Sequence, residues 1–434
     1  MPLRRPNVVV RVRPLAESGG HADQGKAHPK RLASWDDGTI VLEETMGVNS
    51  GCGTGIRNQS FTFAKDVLGT TAKQPQVYDA VAAKLVRSVC CDGFNGLLFA
   101  YGQTGTGKTH TIFGPQPSWG SMRHEDCGIL PRAVSDIFEQ MRGSVKTISY
   151  TLTASALEFY MTGCLDLLDD GKPCVIGTDH KPLGLASMPI ESEEACLRFM
   201  KRVREKRHAR STRMNAASDG HEGSSRSHCS VILTLRQLTR SSASVLTTEL
   251  HVMDMAGAER PKSNDYESGA HSGMLAVIES EKRGEASIAS QGMIINYELS
   301  QLRTAVVQAS ESHQKGLPLL NARSLGTALA MAVGSSAFIE YTKGCFDGSA
   351  LVSNLPPISL RSPGPVGFSS PCPPSPTIDV LLWPFLILSS PLHPSTSFSN
   401  LLCVFLDALP ARHDCHPLPR PQLRLGDLVL MYIR

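Results

Sequence analysis

Several things are scarce in this chain, and each scarcity excludes something. No apolar run among the 434 residues is long enough to span a bilayer. The most apolar run of the C-terminal part, Val380–Leu388, is short and carries Pro384. Val8–Val10 is too short for a secretory core and runs straight into Arg11. Twelve cysteines are scattered with no C-x-x-C pair, so reduced thiols in a cytoplasmic protein are expected. Cys90 and Cys91 are read as helix packing, and His413, Cys415 and His416 as a chance cluster in a Pro-rich stretch rather than a metal site. Charge of one sign is also scarce. A net charge of +3 gives no electrostatic case for a nucleic-acid partner. No heptad repeat signals a coiled coil.

Material for a core is present: 41% of residues are hydrophobic and 19% charged. "NVVVRVRPL" predicts a short strand ending at Pro14, and the polar stretch 16–34 a loop. Val77, Val81, Leu85 and Val89 recur every four residues, which predicts one helix face over 76–91. "GLLFAY" (96–101) is a continuous apolar run bounded by glycine, as in a buried strand. Pro131 suits the first turn of a helix over 129–138. Residues 147–160 are strand-like, 193–207 form a basic amphipathic helix, and 228–238 and 245–255 read as two strands joined by a Ser-rich turn. Residues 294–309 are helical again. The alternation predicts an α/β fold. Past residue 345 the composition shifts to Pro and Ser, and 350–434 reads as a tail without its own packed fold.

The chemistry starts at Gly102-Gln103-Thr104-Gly105-Thr106-Gly107-Lys108-Thr109, which fits G-x-x-x-x-G-K-[ST] between a predicted strand and a helix. Gly105 and Gly107 allow the backbone to curl so that its N–H groups face phosphates. Lys108 reaches the β- and γ-phosphates, and Thr109 offers its hydroxyl to Mg²⁺. "GSSRSH" (223–228) sets hydroxyls and an arginine before a strand. "VMDMAGAER" (252–260) ends an apolar strand on Asp254, the position for holding Mg²⁺ or its waters, with the Gly257 N–H placed for a γ-phosphate.

With these stretches in this order the chain resembles the kinesin microtubule motors. "GFNGLLFAYGQTGTGKTHTIFG" is similar to the family's phosphate-loop segment, "SSRSH" to its switch I and "DMAGAER" to its switch II. "VRVRPL", "QVYDAV" and "ALEFYMTGCLDLL" match three further elements, so the resemblance covers roughly residues 6–345. It implies a P-loop NTPase fold with a kinesin-type central mixed β-sheet flanked by helices on both faces, over residues 1–349. It also implies ATP and Mg²⁺ as cofactors, microtubules as partner, and a cytoskeletal location. By the same resemblance Arg11, Pro14 and Tyr78 border the adenine, and Thr109 and Ser225 coordinate Mg²⁺ with Asp254 behind a water. Arg226 and Glu259 form an ion pair that closes the switches and orders the attacking water, Gly257 senses the γ-phosphate, and Asn296 couples the site to the track.

The chain also departs from the family's pattern. Switch I carries His221 where an Asn is usual, and Asn215 lies far upstream. Switch II carries Ala258 where Ser is usual, and 261–291 is expanded. In the track-contacting segment 317–329 only Pro318, Ser324 and Leu325 keep register. The basic residues of 199–213 read as a solvated helix face. Two functions therefore stand: a microtubule-stimulated ATPase motor, and a nucleotide-binding adaptor that hydrolyses weakly or not at all.

Overall fold

Eleven strands among the described residues form one sheet, and its layout follows from which runs are apolar on both faces. The protein is represented by a computed structural model that describes residues 7–14, 30–46, 55–63, 67–115, 122, 124–143, 147–160, 163–178, 180–215, 226–257, 292, 294–300, 302, 337–345, 351–354 and 428–433. In chain order the strands are β1 (Asn7–Arg11), β2 (Lys30–Trp35), β3 (Thr39–Met46), β4 (Gly55–Thr62), β5 (Val67–Leu68), β6 (Gly96–Tyr101) and β7 (Ile148–Tyr160). They continue with β8 (Gly163–Asp166), β9 (Lys172–Pro173), β10 (Met188–Pro189), β11 (His228–Thr239), β12 (Ser244–Asp254), β13 (Leu351–Asn354) and β14 (Leu428–Ile433). The helices are α1 (Gln74–Val81), α2 (Ala83–Arg87), α3 (Lys108–Phe113), α4 (Ile129–Arg142), α5 (Glu193–Asn215), α6 (residues 294–300) and α7 (Ala337–Cys345).

The main sheet runs β5-β1-β14-β6-β12-β11-β7-β8-β9, with β10 added to β7 and β13 to β12. Strands β5, β1, β14, β6 and β12 are parallel, whereas β12, β11, β7, β8 and β9 are antiparallel, so the sheet is mixed. β2, β3 and β4 form a separate three-stranded sheet. Alternation along the strands sorts the core into two layers. Val9, Leu98, Ala100 and Val252 pack with Ile112, Leu130, Phe199 and Val203 of α3, α4 and α5. Val10, Phe99, Met253 and Phe159 pack with Ile295, Leu299, Phe338 and Tyr341 of α6 and α7, and with Ile40 and Phe61 of the small sheet. Helices thus cover both faces, as expected from the sequence.

The structure departs from the sequence reading in several places. The expected helix over 76–91 is α1, a break at Ala82 (φ −115°), α2 and a wide turn at Ser88–Asp92. Its four-residue stripe still holds, since Val77, Val81, Leu85 and Val89 are all buried. The end of the expected loop 16–34 is strand β2, and α5 extends beyond 207 to Asn215. Cys90 is packed in the core, and burial pushes its thiol pKa up to about 12, whereas Cys91 is exposed against Gln140. The eight described cysteines are free thiols. His413, Cys415 and His416 lie outside the described residues.

Two strands come from beyond the boundary drawn at residue 349. β13 caps β12, and β14 pairs in parallel with β1 on one side and β6 on the other. β14 therefore sits beside the strand that feeds the phosphate loop, with Tyr432 opposite Tyr101. Between two ladders, its loss would strip hydrogen-bond partners from both neighbours.

α7 is pinned to the sheet by an imidazole. His251 on β12 places Nδ1 2.7 Å from the Tyr341 hydroxyl and Nε2 3.3 Å from Glu249 Oε2, with Cys345 Sγ 3.7 Å from Nδ1. Burial alone would favour the neutral ring, but Cys345 and Glu249 outweigh it and push the His251 pKa from 6.5 up to about 10.

Two outcomes are expected. Each ladder hydrogen bond contributes about 0.5–1.5 kcal/mol net. A chain lacking residues 427–434 should therefore melt about 10 °C or more below the full chain; an unchanged melt would mean that β14 adds nothing to the sheet. The His251 pKa is raised on folding, so its contribution is full below about pH 6.5 and is lost as pH rises through about 10. The melting temperature should fall across that window, and His251→Gln should flatten the fall; parallel pH profiles for the two proteins would contradict the assignment.

Candidate nucleotide site

The site lies where parallel strands β6 and β12 end side by side, with Asp254 in register with Ala100. β6 is buried along its whole length and leads into the turn 102–107 and then α3. Gly105 (φ 79°) and Gly107 (φ 99°) adopt backbone that a side chain would strain, and a Cβ on Gly107 would touch nothing within 4 Å. The need for glycine there is conformational rather than steric. Thr106 closes the turn on Gln103 through its hydroxyl (2.8 Å). Lys108 is buried, and its ammonium donates to the Gly102 and Gln103 carbonyls at 2.9 and 2.8 Å, which holds it over the turn. Arg13 reaches the same turn and donates to the Gly105 carbonyl.

Beneath the turn a charged network is sealed from solvent. Asp254 Oδ2 accepts from the Thr109 hydroxyl at 2.7 Å and from Arg207 Nη1 at 2.7 Å. Arg207 also donates to the Ser227 carbonyl (3.2 Å), and Ser227 Oγ donates to Glu158 Oε1 (2.7 Å). Burial works against the guanidinium charge, but Cys229, Asp254 and Glu158 outweigh it and raise the Arg207 pKa above its ordinary value. Two carboxylates face one guanidinium, and Asp254 Oδ1 makes no hydrogen bond. A buried, partnerless carboxylate oxygen beside a threonine hydroxyl fits a hard divalent cation or its waters. Thr109 and Asp254 are thus brought together as the motifs predict.

The residues assigned to the adenine separate. Tyr78 is 6% exposed in the core and donates to Asp136 at 2.6 Å, so no face of its ring is open to a base. Arg11 is also buried, and its Nη1 donates to Thr111 (2.8 Å) and Gln74 (3.0 Å), which braces α3 from behind. Pro14 stays exposed. An exposed ring beside the turn is that of His110, directly after Thr109, with Nδ1 3.1 Å from Gln74 Nε2. Burial, Arg11 and Arg13 outweigh Asp126 and lower its pKa, which leaves the ring neutral. Gly257, three residues after Asp254, is buried, and Arg226 is half-buried just before β11. Ser225 and Glu259 lie outside the described residues, as does the track segment 317–329.

The sequence reading missed Arg207, Glu158, Arg13 and His110. Arg207 belongs to the helix read as solvated, yet it is 4% exposed. The signal was present: Phe199, Val203 and Arg207 share one four-residue stripe, and a cation on an apolar stripe needs a buried anion. Glu158 stood in the apolar run of β7 in the same way.

Among the described residues no helix is long and apolar enough to cross a membrane. The chain is 34% identical over 227 residues to kinesin-like protein Klp61F of Drosophila melanogaster, covering 49% of this chain and 20% of that protein. It is 30% identical over 363 residues to kinesin-like protein KIN-14P of Arabidopsis thaliana, covering 80% of this chain and 33% of that protein. Across such curated relatives the chain spans between 19% and 50% of their length. A solved structure of the C-terminal motor and motor homology domain of Kar3Vik1, fused to a synthetic coiled coil, shares the fold with a TM-score of 0.50 at 22% identity, covering 78% of this chain and 84% of that one. The family model for the kinesin motor domain matches residues 11–318, which hold the phosphate turn, Arg207 and Asp254, and the chain belongs to that family.

Proposed function

We propose that this chain binds and hydrolyses Mg-ATP and couples the reaction to microtubule binding and movement at the cytoskeleton. The observation that carries the reading is Asp254: one oxygen is shared by Thr109 and Arg207, and the other is left without a partner beneath the phosphate turn. The turn 102–107 supplies backbone N–H groups to the phosphates, and Lys108 leaves its two carbonyls to neutralise the β- and γ-phosphates. Thr109 and Ser225, with Asp254 behind a water, would hold Mg²⁺, which would supply positive charge beside the phosphate oxygens. Gly257 presents its N–H to the γ-phosphate, and Arg226 with Glu259 closes over the attacking water. Pro14 and His110 offer flat, exposed faces to the adenine in place of Tyr78.

The second reading, an adaptor that binds nucleotide and hydrolyses it poorly, is favoured by one observation. Segment 317–329 retains only Pro318, Ser324 and Leu325 of the track-contacting pattern.

Mg-ATP at a hundredfold its Kd should stabilise the protein by about 2.7 kcal/mol. Lys108→Ala should lose that gain, because the phosphate charge loses its buried partner. Thermal melts read both, and a wild type indifferent to Mg-ATP would end the nucleotide-site reading. Microtubules should raise the steady-state ATPase of the full chain. Co-sedimentation should weaken with salt as the Debye length falls from about 10 Å at 0.1 M to about 3 Å at 1 M. Nucleotide binding without any microtubule effect at either salt would leave the adaptor as the better account.

A further inference from the structure

Helix α6 carries a carboxylate into the core. Glu298 is 1% exposed, and its Oε1 makes no hydrogen bond. Its Oε2 lies 3.3 Å from Nε2 of His228, which is also 1% exposed. At that distance the contact is electrostatic more than a well-aligned hydrogen bond. On the other side of the ring, Nδ1 accepts the backbone N–H of Ala256 at 3.0 Å. The ring is stacked on Phe338 of α7, with centroids 4.1 Å apart and planes 13° apart. One imidazole, on the first residue of β11, therefore touches the loop after Asp254, α6 and α7.

Its protonation state follows from its partners. Nδ1 accepts the Ala256 hydrogen bond only if it carries no proton itself, so the ring proton is on Nε2, facing Glu298. A carboxylate opposite Nε2 favours that tautomer. With an apolar group there, the Nε2–H would be buried without an acceptor. The proton would then favour Nδ1, setting two donors, Nδ1–H and Ala256 N–H, against each other. Ala256 lies between Asp254 and Gly257, so whatever holds its amide also orients the Gly257 N–H.

We propose that Glu298 is a positioning residue: it sets the tautomer of His228, His228 holds the Ala256 amide, and α6 is thereby linked to the loop that faces the nucleotide. The link stands on geometry alone, and its consequence for turnover rests on the motor reading.

The test compares the full-length wild type with Glu298→Leu and Glu298→Gln. Leucine fills the volume without an acceptor, while glutamine keeps a polar oxygen opposite Nε2. Amide hydrogen exchange over residues 252–257 should speed up about tenfold or more in Glu298→Leu and stay within about threefold of wild type in Glu298→Gln. Exchange in the centre of β11 should be unchanged in both. ATP turnover should follow the same order, with Mg-ATP affinity preserved. If wild type shows no turnover, the motor reading fails and the exchange result still decides the link. Unchanged exchange at 252–257 in Glu298→Leu would overturn the proposal. So would a glutamine variant as impaired as the leucine variant. Should the leucine variant not fold, His228→Asn gives a second decision. Asn keeps an acceptor for Ala256 at the Nδ1 position but cannot reach Glu298. It should hold exchange at 252–257 near wild type and make that exchange insensitive to Glu298→Ala, a change that should speed it when His228 is present. Fast exchange in His228→Asn would overturn the proposal.

Discussion

Asp254 Oδ2 is held by two donors from different helices, the Thr109 hydroxyl on α3 and the Arg207 guanidinium on α5. Much else is arranged to keep that oxygen in place. β12 must end level with β6, and the parallel register between them provides this. Arg207 must remain charged while buried, and Glu158, Asp254 and Cys229 provide that. Ser227 joins Glu158 to the same cluster, so the entry to β11 and the last residues of β7 are fixed by the same charges. Breaking a buried pair of this kind by removing one partner costs about 3–5 kcal/mol. The network therefore joins stability to the site: what aligns the sheet edge also positions the group that would meet the metal.

The loop that follows Asp254 has a second anchor. Met255 N–H bonds back to Ala100 O, and Ala256 N–H bonds to His228. His228 stacks on Phe338, and Tyr341 on the same helix bonds Ser230 and His251. α7 thus packs against β11 and β12 through two imidazoles, one adjoining the site and one near its own C-terminal end. A helix held this way behaves as a rigid support for the loop rather than as a separate layer.

The sheet also changes how the C-terminal part is regarded. Its Pro and Ser content signals no packed fold of its own, and none is needed for it to contribute. β14 inserts between β1 and β6, where five backbone positions on each side already have partners waiting. A strand in that slot is stabilised by its neighbours' ladders, and Leu428–Ile433, with Val429, Tyr432 and Ile433, carries residue types that favour a strand.

The parts legible from the amino-acid order were those fixed by local chemistry. GQTGTGKT needs glycine where φ is positive, a lysine to turn back over the carbonyls and a threonine at the helix start, and these requirements span eight neighbouring residues. The buried strand before it, the β11–β12 hairpin and the carboxylate ending β12 were readable for the same reason. What needed the tertiary structure depended on partners far along the chain. The resemblance places Tyr78 at the adenine, whereas Asp136 meets its hydroxyl in the core, and Arg207 reads as solvated until Asp254, 47 residues on, lies beneath it. His228 gained its contacts from Ala256, Glu298 and Phe338, none of them a sequence neighbour. A side chain's burial is set by what folds over it, and for a charged or aromatic residue that partner decides whether it faces a ligand or the core.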